Sequence, residues 1–174
     1  MEDNRDLIIR RVKKEELDKL VEVYTSAYRK MKRYAYTKEK KIREYLEWLY
    51  QEEPEGFLVA EREEKLTGFA CIHTGWKNRL EEGKTGELHE IVVTEELQGK
   101  GIGKKLFKMV LKYAREKGCK FISLWVGEEN WPARSWYTRL GFKEKGGWGE
   151  WVRMKKDLFF PESKEVNENK RKSF

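Results

Sequence analysis

A chain of 174 residues is long enough for one domain with a full hydrophobic core and too short for two domains of ordinary size. Charged residues make up 40% of the chain and its net charge is +7. The sequence contains no apolar run of about 18 residues and begins with a polar stretch, so a membrane-spanning helix and a signal peptide are not expected.

Lysine and glutamate supply most of the charge, a bias typical of proteins from thermophiles, and we interpret it as surface ion pairing. Cys71 and Cys119 lie within apolar runs, which predicts buried, reduced thiols and a cytoplasmic protein. No spacing of a metal site occurs. The basic residues are spread along the chain without interleaved aromatics, which disfavours nucleic acid as a partner.

The first half of the chain predicts two helices and an antiparallel hairpin. A strand at 7–12 is followed by apolar residues at helical spacing up to Tyr28, and a second amphipathic helix is expected between Thr37, a candidate cap, and Pro54. Apolar runs at 57–60 and 66–72 flank a charged turn, so we expect a hairpin there. A polar loop at 75–86 then leads to the next strand.

The second half predicts a parallel pair of strands joined by a helix. The strand at 87–93 feeds a glycine-rich turn and a basic helix, and the strand at 121–126 follows that helix. A short helix at 130–140 and a hairpin at 142–156, turned by Gly146, Gly147 and Gly149, complete the sheet. We expect one domain over residues 1–157 and a polar, basic tail over 158–174.

The stretch from Gln98 to Gly103 is suited to phosphate binding. Its three glycines allow backbone N–H groups to converge, and the helix behind them adds unpaired donors and the positive end of its dipole. A nucleotide-triphosphate loop is excluded because Lys104 and Lys105, instead of Lys and Ser or Thr, follow Gly103. A dinucleotide fingerprint is excluded because only Ile102 separates the last two glycines.

This stretch resembles the acyl-CoA loop of the GNAT superfamily of N-acyltransferases, whose pattern is Gln or Arg, two residues, Gly, any residue, then Gly or Ala. A second segment agrees with the same superfamily, through Asn130, Ala133, Tyr137, Gly141 and Phe142 at the spacing of its last helix and following strand. Glu95 departs from the pattern, because many members carry Pro there.

The resemblance implies an α/β, single-domain fold with a mixed sheet of six to seven strands, antiparallel at first, with helices on both faces. The central parallel strands are expected to splay apart and expose backbone groups that pair with the pantetheine arm of acetyl-CoA, the co-substrate. The residues implied in binding it are Ile91, Val92, Val93, Gln98, Gly99, Lys100, Gly101, Ile102, Gly103, Lys104, Asn130 and Tyr137.

The chemistry implied is attack of an amine on a thioester, which benefits from a base because a free alkylamine has a pKa of about 10.4. Glu87 and His89 are candidate general bases, two residues apart on one strand and so on one face unless a bulge intervenes. Glu90 is a third candidate, expected to face the other way. By resemblance, the Val93 N–H stabilises the oxyanion and Tyr137 is the general acid.

We therefore expect an acetyl-CoA-dependent N-acetyltransferase acting on a primary amine by direct attack in a ternary complex. The alternative is a non-catalytic acyl-CoA-binding sensor. The acceptor is not readable: an acidic polyamine-type pocket and a peptide groove both stay open, and Tyr34, Tyr36, Trp76 and Trp148 are candidates for an aromatic cleft. No metal and no membrane partner are expected, and the resemblance allows a homodimer.

Overall fold

A mixed sheet of seven strands, in the order β1-β2-β3-β4-β5-β7-β6, forms the centre of the part of the protein that this computed structural model describes, residues 6–75 and 83–158. Four α-helices accompany the strands within those ranges. The elements are β1 Leu7–Arg11, α1 Leu17–Ala27, α2 Glu39–Glu52, β2 Phe57–Arg62, β3 Lys65–His73, β4 Thr85–Val93, α3 Ile102–Glu116, β5 Phe121–Gly127, α4 Trp131–Arg139, β6 Lys143–Trp148 and β7 Trp151–Asp157.

The predicted fold class is confirmed. β1 to β4 pair antiparallel, β4 and β5 pair parallel, and β7 pairs antiparallel with both β5 and β6. The sheet separates two apolar layers because side chains of each strand alternate between its faces. One layer lies under α1 and α2, with Leu20, Leu46 and Phe69 fully buried. The other lies under α3 and α4, around Leu106 and Ile122.

Two local predictions were wrong in detail. Thr37 does not cap α2; the helix begins at Glu39 after Lys38, whose side chain makes no capping hydrogen bond. In the last hairpin, Gly146 and Gly147 lie within β6 at a register shift, and the turn itself is formed by Gly149 and Glu150. Glycines suit a bulge and a turn equally, so the sequence did not separate the two positions.

A bulge in β4 and an early end to its pairing with β5 shape the centre of the sheet. Cys71 pairs with Glu90 and Ile72 with Leu88, so His89 is an extra residue on β4. On the other side, the parallel pairing with β5 ends at Glu87 and Ser123. The strands therefore separate over the rest of β4, as the resemblance implied.

The predicted tail and the predicted loop at 75–86 are only partly covered by the described residues. Leu158, placed by the sequence in the tail, is buried and its N–H donates to the carbonyl of Lys120. The rest of the predicted tail and positions 76–82 of the predicted loop lie outside the described residues. Both cysteines are buried and free, as predicted. No helix in the described ranges is both long enough and apolar enough to cross a membrane.

Candidate active site

The gap between β4 and β5 offers unpaired backbone groups at its β4 edge. The N–H of Thr94 donates to the carbonyl of Thr67, and hydrogen-bonded pairs alternate in an antiparallel ladder. The backbone N–H and C=O of Val92 are thus directed toward β3, where Val92 pairs with Phe69. The backbone N–H groups of Ile91 and Val93 are directed into the gap. The expectation that Val92 also offers its backbone groups there was wrong, because alternate residues of one strand bond to opposite neighbours.

Gln98 holds the end of β4 in place. Its side-chain amide donates to the carbonyl of Val93 (3.0 Å) and to that of Ala27 (3.3 Å), at the end of α1. The Val93 carbonyl is occupied in this way, whereas its N–H faces the gap. Gln98 therefore fixes the end of β4 while itself lining the cavity.

The glycine turn has the open backbone that the sequence predicted. Gly99 and Gly101 have φ angles of +76° and +88°, in the left-handed region that favours glycine. Nothing lies within 4 Å of a Cβ built at either residue, so their surroundings are open. Helix α3 begins at Ile102, and the N–H groups of its first turn have no partner within the helix. Lys100 and Lys104 are exposed beside them.

Helix α4 forms the wall facing this turn. A Cβ at Gly103 would lie 3.5 Å from the ring of Trp136, so α3 begins close to α4. The side chain of Asn130 accepts a hydrogen bond from the Ala133 N–H (3.3 Å) and thus caps α4. Tyr137 packs against Trp136 and Phe142. Sequence reasoning missed Trp136, which its helical spacing did not distinguish from a core residue.

Tyr137 has an environment that keeps its hydroxyl protonated. Burial is the larger cause that raises the pKa of its phenol above the ordinary value of 10.0, and the charge of Glu90 adds to it. Tyr137 and Glu90 line the same cavity, although they come from different layers of the fold.

Glu90 is buried and accepts hydrogen bonds from two tyrosines, Tyr28 just after α1 and Tyr45 on α2. The Tyr28 hydroxyl donates to one carboxylate oxygen (2.7 Å) and the Tyr45 hydroxyl to the other (3.0 Å). Burial raises the pKa of Glu90 to about 7, while these hydrogen bonds oppose the rise. Its carboxyl therefore titrates near neutral pH.

His89 lies on the same side of the sheet as Glu90, so the expectation that Glu90 faces the other way was wrong. Its ring packs against His73, with centroids 4.2 Å apart, and against Trp48 of α2. The bulge is the reason, because it places two consecutive residues of β4 on one face. Burial, with a smaller contribution from His73, lowers the pKa of His89 to about 3, so its imidazole is neutral at physiological pH.

Glu87 lies deeper in the protein. It is 5% exposed and accepts a hydrogen bond from the Ser123 hydroxyl on β5. Burial raises its pKa, and the Ser123 hydrogen bond and the charge of Arg153 act in the opposite direction. Glu87 does not line the cavity described next, whereas Glu90 and His89 do.

A cavity of about 720 Å³ connects these groups through the separated strands. From the α3–α4 side it is lined by the glycine turn, Asn130 and Tyr137, and from the α1–α2 side by Tyr28, Tyr34 and Glu90. The backbone donors of the turn and the carboxylate of Glu90 thus open into one space on opposite sides of the sheet. Such a space can hold two molecules that meet at its centre.

The aromatic cleft differs from the predicted one. Tyr34 lines the cavity, but Tyr36 and Trp148 do not, and Trp76 lies outside the described residues. Trp125 and Trp151 line it instead. The alternation of β5 could have indicated Trp125, because Leu124 and Val126 face the α3–α4 core and leave Trp125 on the other face.

The described residues contain no group of three or more histidines, cysteines or carboxylates that could hold a metal ion. Acetyl-CoA, the co-substrate implied by the resemblance, fits the donors present. The open turn at Gly99 and Gly101 suits a diphosphate, and the N–H groups of Ile91 and Val93 suit an amide-rich arm.

Comparisons with known proteins agree with this geometry. The model of the acetyltransferase (GNAT) family matches residues 17–142. An uncharacterized N-acetyltransferase of Methanocaldococcus jannaschii is 40% identical over 150 residues, covering 86% of this chain and 66% of that protein. Another, from Archaeoglobus fulgidus, is 40% identical over 143 residues, covering 81% of this chain and 97% of its own. The chain thus spans about two thirds of the first relative and nearly all of the second.

Solved structures show the same fold. A crystal structure of a protein from Pyrococcus horikoshii superposes with a TM-score of 0.80 at 35% identity, covering 88% of this chain and 99% of that one. The PaiA N-acetyltransferase of Thermoplasma acidophilum, solved in complex with coenzyme A, gives a TM-score of 0.69 at 23% identity, covering 87% and 98%.

Proposed function

The chain belongs to the GNAT family of acetyltransferases, and we propose on this basis that it moves the acetyl group of acetyl-CoA to a primary amine by direct attack in a ternary complex. The observation that carries the proposal is the single cavity through the separated strands, which reaches both the glycine turn and Glu90. Two substrates can therefore be bound at once, one from each side of the sheet.

The co-substrate occupies the α3–α4 side in this proposal. Its diphosphate accepts hydrogen bonds from the N–H groups between Gly99 and Lys104, where the α3 dipole also favours negative charge. Its pantetheine amides pair with the backbone of Ile91, which faces the gap, and with Asn130 on the opposite wall, so that the thioester carbonyl lies at the Val93 N–H. Gln98 holds Val93 through its side-chain amide and also lines the cavity beside the diphosphate.

Among the three candidate bases, we assign the proton transfer to Glu90. An ammonium group with a pKa of about 10.4 resists deprotonation at pH 7 by about 4 to 5 kcal/mol. A carboxylate with a pKa of about 7 that lines the cavity can receive that proton. The pKa of His89 is too low for it to hold a proton at neutral pH, and Glu87 lies behind the cavity wall.

The transfer then proceeds with the remaining groups. The amine nitrogen attacks the thioester carbon, forming the C–N bond, and the Val93 N–H stabilises the oxyanion of the tetrahedral intermediate. When the C–S bond breaks, the thiolate sulfur takes a proton from the Tyr137 hydroxyl, whose raised pKa keeps it protonated until that step. The nitrogen, positively charged after the attack, loses its second proton, which restores the Tyr137 hydroxyl. The products are an N-acetylated amine and coenzyme A.

The test is release of the coenzyme A thiol from acetyl-CoA when amines are added to the full chain, compared with Tyr137→Phe. We expect amine-dependent release by the native protein and a loss of about 10²- to 10⁴-fold in kcat for the variant, with the KM for acetyl-CoA little changed. Binding of acetyl-CoA without release for any amine would instead show a sensor module.

We further propose that the catalytic domain spans residues 1–157 together with the buried Leu158, and that the protein works in the cytoplasm. Two buried, free cysteines suit a reducing compartment.

A further inference from the structure

Four aromatic side chains, Tyr28, Tyr34, Trp125 and Trp151, contribute to the walls of the cavity on the acceptor side. Leu124, Val126 and Val152 pack into the α3–α4 core, so their neighbours Trp125 and Trp151 face the α1–α2 side, where Glu90 lies. Trp125 pairs with Arg153 and Gly127 with Trp151, which makes the two tryptophans diagonal neighbours on one face.

The segment between α1 and α2 closes this space from above. The ring of Tyr34 packs edge-on against Trp151, with centroids 5.5 Å apart, and its hydroxyl accepts a hydrogen bond from the Glu129 N–H (3.0 Å). A Cβ at Gly127 would overlap that ring, so the absence of a side chain there lets Tyr34 lie on the end of β5. Arg33 pairs with Glu129 and Glu150 beside it.

Trp125 remains 42% exposed although three other aromatic side chains line the same cavity on its face. A large apolar side chain left exposed inside a concave site marks a surface that an apolar ligand covers.

The charges on the cavity wall point the same way. Glu90 is the one carboxylate among the described residues that line it. One carboxylate can accept one proton or pair with one ammonium. A second cationic group on the acceptor would meet no carboxylate in the cavity and would be desolvated without a partner.

We propose that the acceptor is a primary amine carried on an aromatic or aliphatic group that bears no second positive charge. Trp125, Trp151 and Tyr34 hold the apolar group while Glu90 receives the proton of the amine. The proposal rests on the amine acetyltransferase function above and specifies its substrate class; it disfavours the polyamine-type pocket that the sequence left open.

Three probes separate the classes of amine: 2-phenylethylamine, a tetrapeptide whose free N-terminal residue is phenylalanine, and spermidine. With acetyl-CoA and the full chain, we expect kcat/KM for one of the first two to exceed that for spermidine by about tenfold or more. Preference for 2-phenylethylamine identifies a free amine, and preference for the peptide identifies a chain end. Equal or faster acetylation of spermidine overturns the proposal.

Trp125→Ala tests the aromatic wall, with Trp148→Ala as the matched control, because Trp148 is 79% exposed and lies outside the cavity lining. We expect the first variant to raise the KM for the preferred amine by about tenfold and to leave the KM for acetyl-CoA unchanged, while the control stays within about twofold of the native protein. Equal effects of both variants would overturn the assignment.

Calorimetry of 2-phenylethylamine with the coenzyme A-loaded protein distinguishes failure of this inference from failure of the function. Binding that weakens in Trp125→Ala supports the aromatic site even if no acetyl group moves. No binding of 2-phenylethylamine or of the tetrapeptide, together with acetylation of spermidine, rejects the site and leaves the acetyltransferase function intact.

Discussion

Glu90 shows how opposing interactions set the pKa of one carboxyl group. Two tyrosine hydroxyls donate to it and stabilise its charged form, while burial disfavours that form by more. The balance gives a pKa of about 7, in place of the ordinary 4.5. The charged fraction of the Glu90 carboxyl, and with it the proposed activity, therefore changes between about pH 6 and pH 8.

Glu90→Gln is expected to lower kcat/KM by about 10²- to 10⁴-fold, because the amide accepts no proton. In the native protein, kcat/KM should fall as the pH drops below about 7, and this limb should be absent from the residual activity of the variant. Steady-state rates from pH 5.5 to 9 measure both. Glu87→Gln is the comparison: a loss as large as that of Glu90→Gln would move the base to Glu87.

The same substitution has a predicted effect on stability, which separates catalysis from folding. Because the pKa of Glu90 is raised in the folded state, the protein loses stability as the pH rises from about 4.5 through about 7. Glu90→Gln removes this loss. Its melting temperature at pH 8 should therefore equal or exceed that of the native protein, and a large drop would show that the tyrosines require the carboxylate.

At this scale the sequence identified the candidate carboxylates and imidazole but assigned Glu90 to the wrong face. The face depends on the extra residue that β4 carries opposite Cys71 and Ile72, a property of the pairing with another strand. Asn130 and Tyr137, which the family resemblance assigned to the site, both line the cavity, and one short helix fixes their relation.

At the scale of elements, the proposed function makes the glycine turn and α3 one anion site, and Gly101→Ala tests this. An alanine at a φ of +88° is strained by about 1 to 2 kcal/mol, which favours a different backbone conformation from the one that gathers the N–H groups of the turn. We expect weaker binding of coenzyme A by calorimetry. Gly103→Ala is the control: its Cβ would lie at an ordinary 3.5 Å from Trp136, so folding and binding should persist.

Most helices and strands followed from hydrophobic periodicity, since each apolar stripe belongs to a single continuous segment. The point at which β4 and β5 separate did not follow from their own sequences, because it depends on how far two distant strands pair. The family resemblance, and not the pattern of either strand, predicted that separation. The contact between Tyr34 and Gly127, which closes the acceptor side of the cavity, likewise could not be predicted, because the two residues are far apart in sequence.

At the scale of the molecule, some ion pairs are partly buried and join different elements of the fold, whereas others lie on the surface. Arg10 on β1 donates to Glu61 on β2 and to Glu16 before α1, each at 2.6 Å, and its side chain is 27% exposed. Arg43, by contrast, pairs with Asp18 and Glu39 on the surface. The abundance of lysine and glutamate in the sequence does not distinguish these two kinds of pair.

Arg10→Ala should therefore destabilise the protein by about 1.5 to 3 kcal/mol, since it removes the charged donor shared by two partly buried carboxylates and leaves Glu16 with the Lys13 N–H. Arg43→Ala should change stability by about 0 to 1 kcal/mol. The hydrogen bond from Arg10 is the main cause that lowers the pKa of Glu16 to about 2, so its contribution is present above about 4.5 and lost as the pH falls toward 2. Chemical denaturation at pH 7 and pH 3 measures both, and equal effects of the two variants would contradict the prediction.

β7 belongs to both halves of the site, because it lies between β5 and β6 in the sheet. Its Trp151 lines the cavity on the acceptor side, while its Val152 and Met154 pack into the α3–α4 core behind the glycine turn. A nascent chain that ends before residue 151 therefore lacks packing that both walls of the cavity need, and the two halves can only be completed together when this late strand is translated.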